Sequence, residues 1–402
     1  MIPFSPPRID QAIVDEVSKA LLSGWITTGP RTKLFENKLT AYVGCRKTIC
    51  LNSATAGMEL MLRWFGVGPG DEVIIPAYTY CATANVVMHC GATPVMVDIN
   101  EKDFNISVAA VEKAISAKTK VIMPVDISGF PADYDALNAL VNAEKIKKVF
   151  LANGAEQKKL GRILILSDAA HSFGATMNGK MSGALTDVSV FSFHAVKNLT
   201  TSEGGGVCLN LPDQFDIDEI YQHLNINSLH GQSKDALAKT QVGNWRYDVL
   251  YPGYKCNMTD ISAAIGLIEL ERYESNLARR KVIFDQYVAG FENEEWAIIP
   301  PYLTAEKETS YHLFLLRIKG IDEPKRDAIM QAIFEAGVSV NVHFQPLPLL
   351  TAYKSLGYKM EDYPVAWAKY ENEITLPVYF DLSDESVQFI IKAVTKAVNG
   401  LL

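Results

Sequence analysis

The run Phe191-Ser192-Phe193-His194-Ala195-Val196-Lys197-Asn198, followed by Glu203-Gly204-Gly205-Gly206, decides how this 402-residue chain is read. It reads as a short strand leaving the core, with a lysine just past its end. In doubly wound sheets, ligands bind at that end of the strands. A lysine there can be desolvated, its pKa lowered and its amine used as a nucleophile toward an aldehyde. A solvated loop lysine is the plain alternative, because lysines are mostly exposed.

The flanking elements extend this reading. Strand patterns at Thr48–Leu51, Glu72–Ile75, Pro94–Val97, Val121–Val125 and Ile163–Leu166 precede the strand Val188–Phe193. Helical patterns at Thr55–Phe65, Ala82–His89, Val108–Ala117 and Tyr134–Ala143 alternate with them. Such alternation predicts an α/β fold whose mostly parallel sheet is sandwiched by helices. Gly206–Asn210 is expected to close the sheet. Asp10–Leu22, capped by Asp10, and Lys33–Val43 read as helices ahead of the first strand. Glu144–Gly161 is charged and contains glycine, and reads as a surface excursion. Met258–Phe291 is the longest helix-compatible stretch. Beyond it, Tyr311–Ile318 and Val338–Phe344 read as strands around a helix at Lys325–Ala336, and a last helix spans Glu385–Val398. The expected division is a large domain over residues 1–291 and a small α+β domain over 292–402.

Composition narrows the function classes. The chain is 48% hydrophobic and 21% charged, which is ordinary globular usage. Its 38 basic and 46 acidic residues give a net charge of −8, with no Lys/Arg block. That disfavours a nucleic-acid or anionic-membrane partner. No apolar run approaches the ~18 residues of a membrane helix. The start, Met1-Ile2-Pro3-Phe4-Ser5-Pro6-Pro7, lacks a signal-peptide pattern. The six cysteines are scattered without a CxxC pair, so neither a disulfide framework nor a metal site is expected. A cytoplasmic protein with reduced thiols is the economical expectation.

Three more strand ends carry candidate chemistry. Leu166-Ser167-Asp168-Ala169-Ala170-His171 places a carboxylate among small residues that leave room for a flat ligand. Asp168 can pair with a protonated pyridine nitrogen, the partner pyridoxal phosphate chemistry requires. His171 can hydrogen-bond the ring's phenolic oxygen. Equally, Asp168 can cap the next helix and His171 can be a satisfied core histidine. Leu51-Asn52-Ser53-Ala54-Thr55-Ala56-Gly57 runs from strand to helix, and its free N–H groups and hydroxyls suit a phosphate, or only an N-cap. Pro76-Ala77-Tyr78-Thr79-Tyr80 offers an aromatic that can stack on a cofactor ring or simply pack in the core.

Phosphate seat, aromatic, Asp and Lys thus follow in order, each after its own strand. In this arrangement the chain resembles the DegT-type nucleotide-sugar aminotransferases, a branch of the fold-type I pyridoxal-phosphate enzymes, over nearly its whole length. The resemblance takes in Ser23-Gly24-Trp25-Ile26-Thr27-Thr28-Gly29-Pro30, Ser53-Ala54-Thr55-Ala56, Gly70-Asp71-Glu72-Val73-Ile74 and Gly91-Ala92-Thr93-Pro94-Val95. It continues through Asp168–His171, Ser192–Lys197 and Gly253-Tyr254-Lys255-Cys256-Asn257-Met258-Thr259-Asp260. Trp25–Pro30, Ser53–Met58, Ser192–Lys197 and Gly253–Asn257 are most similar to the branch that makes UDP-4-amino-4-deoxy-L-arabinose.

The resemblance implies that Lys197 carries pyridoxal phosphate covalently and that Asp168 pairs with its ring nitrogen. His171 would lie near the ring hydroxyl, Tyr80 would stack on the ring, and Ala54, Thr55 and Ser192 would hold the phosphate. Lys255 and Asn257 would reach in from the partner subunit of a homodimer. His343, in Val340-Asn341-Val342-His343-Phe344, and Thr27 would face the sugar nucleotide. The implied reaction moves an amino group from L-glutamate to a keto sugar nucleotide, for surface polysaccharide or lipid synthesis. About fifteen residues within Glu144–Gly161 exceed the family pattern, and a solvated insertion is expected there. Two rivals share the scaffold. A sugar dehydratase is disfavoured by Lys197, because those relatives have His there. A non-enzymatic binding protein is disfavoured by the intact Lys197–Asp168–Thr55 set.

Overall fold

The computed structural model describes residues 1–233 and 246–402. Five parallel-register strands form its frame: β1 (Lys47–Leu51), β2 (Glu72–Pro76), β3 (Thr93–Val97), β4 (Thr119–Ile122) and β5 (Leu164–Asp168). A small hairpin, β6 (Thr176–Met177) and β7 (Lys180–Met181), separates them from β8 (Val188–Ser192) and β9 (Gly205–Leu209). The central sheet runs β1-β9-β8-β5-β4-β2-β3. Neighbours are parallel except at β9, which is antiparallel to both β1 and β8. All of β4, β5 and β9 is buried, as a sheet covered on both faces requires.

The helices are α1 (Gln11–Leu22), α2 (Pro30–Val43), α3 (Ala54–Trp64), α4 (Ala82–His89), α5 (Val108–Ala114), α6 (Tyr134–Asn142), α7 (Glu144–Lys147), α8 (Ala155–Leu160) and α9 (Ile217–Ser228). Then come α10 (Asp260–Glu271), α11 (Tyr273–Phe291), α12 (Glu323–Glu335), α13 (Thr351–Lys354), α14 (Pro364–Tyr370) and α15 (Asp384–Leu401). Local chemistry sets their ends. The Asp10 carboxylate accepts the Ile13 N–H at the start of α1. Pro30 opens α2, and Gly44, at φ +75°, closes it. The buried Asp260 carboxylate accepts the Gly29 and Thr32 N–H groups, tying the start of α2 to α10.

A second sheet, β10 (Ala297–Ile298), β12 (Phe314–Ile318) and β13 (Glu373–Leu376), is antiparallel in the order β10-β12-β13, while β11 (Lys307–Glu308) pairs with β6. Phe314, Leu316, Ile374 and Leu376 form its core with Ile329 of α12, Ile390 of α15 and Ile283, Tyr287 and Phe291 of α11.

Four expectations need correction. Gly206–Asn210 does not close the sheet: β9 lies inside it, between β1 and β8. Gly205 allows this, because a Cβ there would sit 2.4 Å from the Ala54 nitrogen, so β9 passes directly beneath the start of α3. Met258–Phe291 is two helices, not one. They part at Arg272, whose guanidinium is held by Glu269 and Asp10 while the Tyr273 ring is buried. Val338–Phe344 is not a strand; only isolated bridges join Val338 to Ile2 and Asn341 to Thr375.

Glu144–Gly161 is not a solvated loop. It carries α7 and α8 and buries Ile146, Phe150, Gln157 and Leu160. The fully buried Gln157 amide donates to the Phe65 carbonyl at 2.9 Å, and its oxygen accepts the Asn153 N–H at 2.9 Å. Asn153 in turn donates to Asp71 at 2.8 Å, just before β2. The segment is therefore a structural patch on the sheet domain. Gln157→Ala strands a buried carbonyl, which costs about 1–3 kcal/mol. Thermal unfolding should show a clear drop in midpoint for Gln157→Ala and almost none for the exposed control Lys158→Ala; equal midpoints would contradict the packing role.

Candidate active site

The carboxyl ends of β1, β2, β5 and β8 open onto one cavity of about 500 Å³. Four of the seven histidines line it, His171, His194, His312 and His343, which sets it apart from the rest of the surface. Phe4 and Ser5 of the N-terminal segment, and His343 and Phe344 after α12, make the wall opposite the sheet.

Asp168 is the last residue of β5 and 4% exposed. The Thr83 hydroxyl donates to its Oδ2 at 2.8 Å, and the Ala170 N–H donates to Oδ1 at 3.3 Å. Burial still pushes its pKa up, against those hydrogen bonds and the Lys197 charge. Lys197 follows β8, the neighbour of β5 in the sheet, and lines the same cavity. Burial pushes its amine down to about 8, and the Asp168 charge partly opposes this. Lys197 is the only Lys or Arg among the described residues lining the cavity.

Ser53 caps α3 by accepting the Ala56 N–H at 3.1 Å. The Ala54 and Thr55 N–H groups have no protein partner among the described residues, so a ready anion seat faces the cavity. The His171 ring is buried, and burial, then Lys197 and His343, hold its pKa well below the usual range. Its Nδ1 has no hydrogen-bond partner. An orphaned buried nitrogen in a cavity wall calls for a ligand atom. His312 packs against it, ring centroids 4.6 Å apart, and its Nδ1 lies 2.9 Å from Asn198 Oδ1.

Tyr80 stands at the cavity wall, 59% exposed, with its ring 5.9 Å from that of Phe344. Tyr78 is the buried tyrosine of that loop, and its hydroxyl donates to the His343 carbonyl at 2.7 Å. Ser192 lines the cavity. Thr27, Lys255 and Asn257 do not line the cavity of their own chain. Thr27 and Lys255 are exposed, and Asn257 donates to the Thr28 hydroxyl at 2.6 Å. The sequence reading missed Thr83, His312, Phe4 and Ser5. None sits at a strand end with a local motif, and only the three-dimensional path of the chain brings them in.

A family model for the DegT/DnrJ/EryC1/StrS aminotransferases matches residues 7–395. The chain belongs to that family. Spore coat polysaccharide biosynthesis protein SpsC of Bacillus subtilis (strain 168) is 35% identical over 99% of this chain and 97% of that protein. Spr1654 of Streptococcus pneumoniae, a proposed sugar aminotransferase solved in its PMP form, shares 50% identity with full coverage of both chains and a TM-score of 0.97. Helicobacter pylori PseC, an aminotransferase in pseudoaminic acid biosynthesis, is 26% identical over 99% of both chains, with a TM-score of 0.85. The aminotransferases of this family depend on pyridoxal phosphate, and the pneumococcal protein is also known in a PLP form.

The residues present fit that cofactor. A buried carboxylate short of a cation, an orphaned imidazole nitrogen, an amine near pKa 8 and an unfilled helix N-terminus meet in one cavity. The Lys197 value is directly testable in cofactor-free protein. Half-maximal amine labelling of Lys197 should fall near pH 8 rather than at the ordinary 10.5. Asp168→Asn removes the charge that favours the ammonium, so the midpoint should move lower still. A midpoint that rises, or that stays near 10.5, would contradict the burial of this amine.

Proposed function

We propose that this family member transfers an amino group from L-glutamate to a keto sugar nucleotide, with a UDP-linked 4-keto sugar as the first candidate. The single observation that carries the reading is that Lys197 and Asp168 line one cavity that also holds the free N-terminus of α3. Pyridoxal phosphate supplies the electron sink and carries the amino group between two half-reactions.

In this reading Lys197 anchors the cofactor and, once freed, moves a proton at the donor carbon. An amine with a pKa near 8 takes and returns a proton at neutral pH better than an ordinary lysine. Asp168, fixed by Thr83 and Ala170, keeps the ring nitrogen protonated. His171 orients the ring hydroxyl through its unpartnered Nδ1. Ala54, Thr55 and Ser192 hold the phosphate, and Tyr80 covers the ring. Lys255 and Asn257 serve the other subunit's site in a homodimer; His343 faces the sugar nucleotide, and Thr27, outside its own chain's cavity, does so only at the other subunit's site. The 253–257 segment runs beside the phosphate seat, since the Cys256 carbonyl accepts the Asn52 N–H at 2.8 Å. The domain division at 291/292 and a cytoplasmic role in polysaccharide or lipid precursor synthesis belong to the same reading. No helix among the described residues is long and apolar enough to cross a membrane.

Purified protein given pyridoxal phosphate should gain visible absorption that L-glutamate bleaches, and borohydride should fix the cofactor on Lys197. A panel of nucleotide keto sugars should show glutamate-dependent amination with parallel-line kinetics. Lys197→Ala should lower turnover by more than about 10²-fold. Persistent glutamate-dependent amination in that variant would remove Lys197 from its role, and turnover of a keto sugar without glutamate would favour the dehydratase.

A further inference from the structure

His343 is clamped from three sides. Its Nδ1 lies 3.0 Å from the Thr375 hydroxyl oxygen, and its backbone N–H donates to Glu373 Oε2 at 3.1 Å. The Phe4 ring stacks on its ring, centroids 5.5 Å apart. Thr375 Oγ1 is itself 2.6 Å from Glu373 Oε1. A continuous chain therefore runs from Glu373 through Thr375 to His343, and leaves Nε2 as the ring's free nitrogen at the cavity.

Glu373 is fully buried and makes no ion pair among the described residues. Arg317 lies opposite it on β12, and Arg326 of α12 is bound to Asp327 and to the Tyr370 carbonyl. Tyr78 also faces it, and burial outweighs both arginines, so its carboxyl is pushed up to about 8. On the other side, burial and the Lys197 charge push the His343 imidazole down to about 4, with His171 and His312 as its further titratable neighbours.

A hydroxyl has one proton to give. With Glu373 ionised, Thr375 donates to Oε1, so Nδ1–H must donate to Thr375 and Nε2 is bare. With Glu373 protonated on Oε1, both bonds reverse: the carboxyl donates to Thr375, Thr375 donates to Nδ1, and Nε2 carries the hydrogen. The count balances. One proton taken up at Nε2 displaces Nδ1–H to Thr375 and the Thr375 proton to Glu373, and the imidazole stays neutral.

We propose that Glu373 is a positioning residue for the sugar half-reaction: through Thr375 it sets the tautomer of His343, and in its acid form makes Nε2–H a donor to an acceptor oxygen of the keto-sugar nucleotide. The proposal rests on the aminotransferase reading for the identity of the substrate, but the tautomer relay stands apart from it.

The test is ¹⁵N-histidine NMR of the full-length holoenzyme from pH 6.5 to 9.5, with the His343 signals identified by their loss in His343→Gln. Wild type should show the Nε2–H tautomer at the acid end and pass to Nδ1–H as pH rises through about 8. Glu373→Gln keeps the shape; its carbonyl oxygen takes the His343 N–H, which turns its NH₂ to donate to Thr375, so it should hold Nε2–H across the whole range. A tautomer that ignores pH in wild type, or a Glu373→Gln profile equal to wild type, would overturn the relay. In single turnovers followed by cofactor absorbance, Thr375→Val should lower kcat/KM for the nucleotide keto sugar about 10-fold, the worth of one hydrogen bond, and leave the glutamate half-reaction unchanged. Equal losses in both half-reactions would make Thr375 merely structural. If glutamate does not bleach the wild-type cofactor at all, the aminotransferase reading fails, and the NMR result still decides the relay.

Discussion

The structure is organised around a carboxylate that has been taken out of water without a full counter-charge. Asp168 ends β5 in the middle of the sheet, and an isolated buried carboxylate is costly. The surroundings answer with dipoles. Thr83, itself 2.9 Å from the Thr79 hydroxyl, donates from α4, and the Ala170 N–H donates from the turn. Behind it lies a second fully buried acid, Asp126, which accepts from Ser172, Ser182, Tyr134 and the Ala132 N–H. Tyr134 also reaches Ser167, the neighbour of Asp168 on β5. The Asp126 charge raises Asp168 further. Two acids held almost wholly by neutral donors make a region that attracts a cation, and the cavity is where one can enter.

The loop that carries Lys197 has a different logic. Lys197 is held by a loop that the N-terminal segment touches, since the Ser5 hydroxyl donates to the Val196 carbonyl at 3.4 Å. The same segment bridges Ile2 to Val338 and stacks Phe4 on His343. A single strap thus joins the lysine loop to the second sheet. The cavity is therefore bounded by strand ends of the central sheet on one side and by Phe4, Ser5, His343 and Phe344 on the other.

How much of this could be read from the chain follows from what is local. Strand ends bearing Thr55, Tyr80, Asp168 and Lys197 were legible, because each combines an apolar run with small or polar residues just beyond it. The central place of β9 was not, since pairing order is set by contacts between residues far apart in the chain. The break at Arg272 has no Gly or Pro to announce it, and the residue that falls there pairs with Asp10, some 260 residues away. Glu144–Gly161 looked solvated because its charges dominate the count, while four buried side chains decide its position. Glu373 and Thr375 carry no motif and fall in no element expected from the sequence. Their importance comes from the bond to His343, which no spacing reveals.

The net charge of −8 finally gains a meaning at the site. The cofactor phosphate is anionic, and so is the proposed sugar nucleotide, yet Lys197 is the only Lys or Arg lining the cavity among the described residues, and its charge is half lost near pH 8. On this chain the cofactor phosphate would depend on neutral N–H groups and the dipole of α3, which supply less than a fixed cation at short range. More cations on this chain would depress Lys197 further and compete for Asp168. A basic group delivered from another subunit avoids both costs, because it can sit at the phosphate and away from the amine. Lys255 is exposed on a segment bonded to the residue before Ser53, and its amine donates to Asn257 Oδ1. In the proposed homodimer, that placement makes the site electrically complete only when two chains meet.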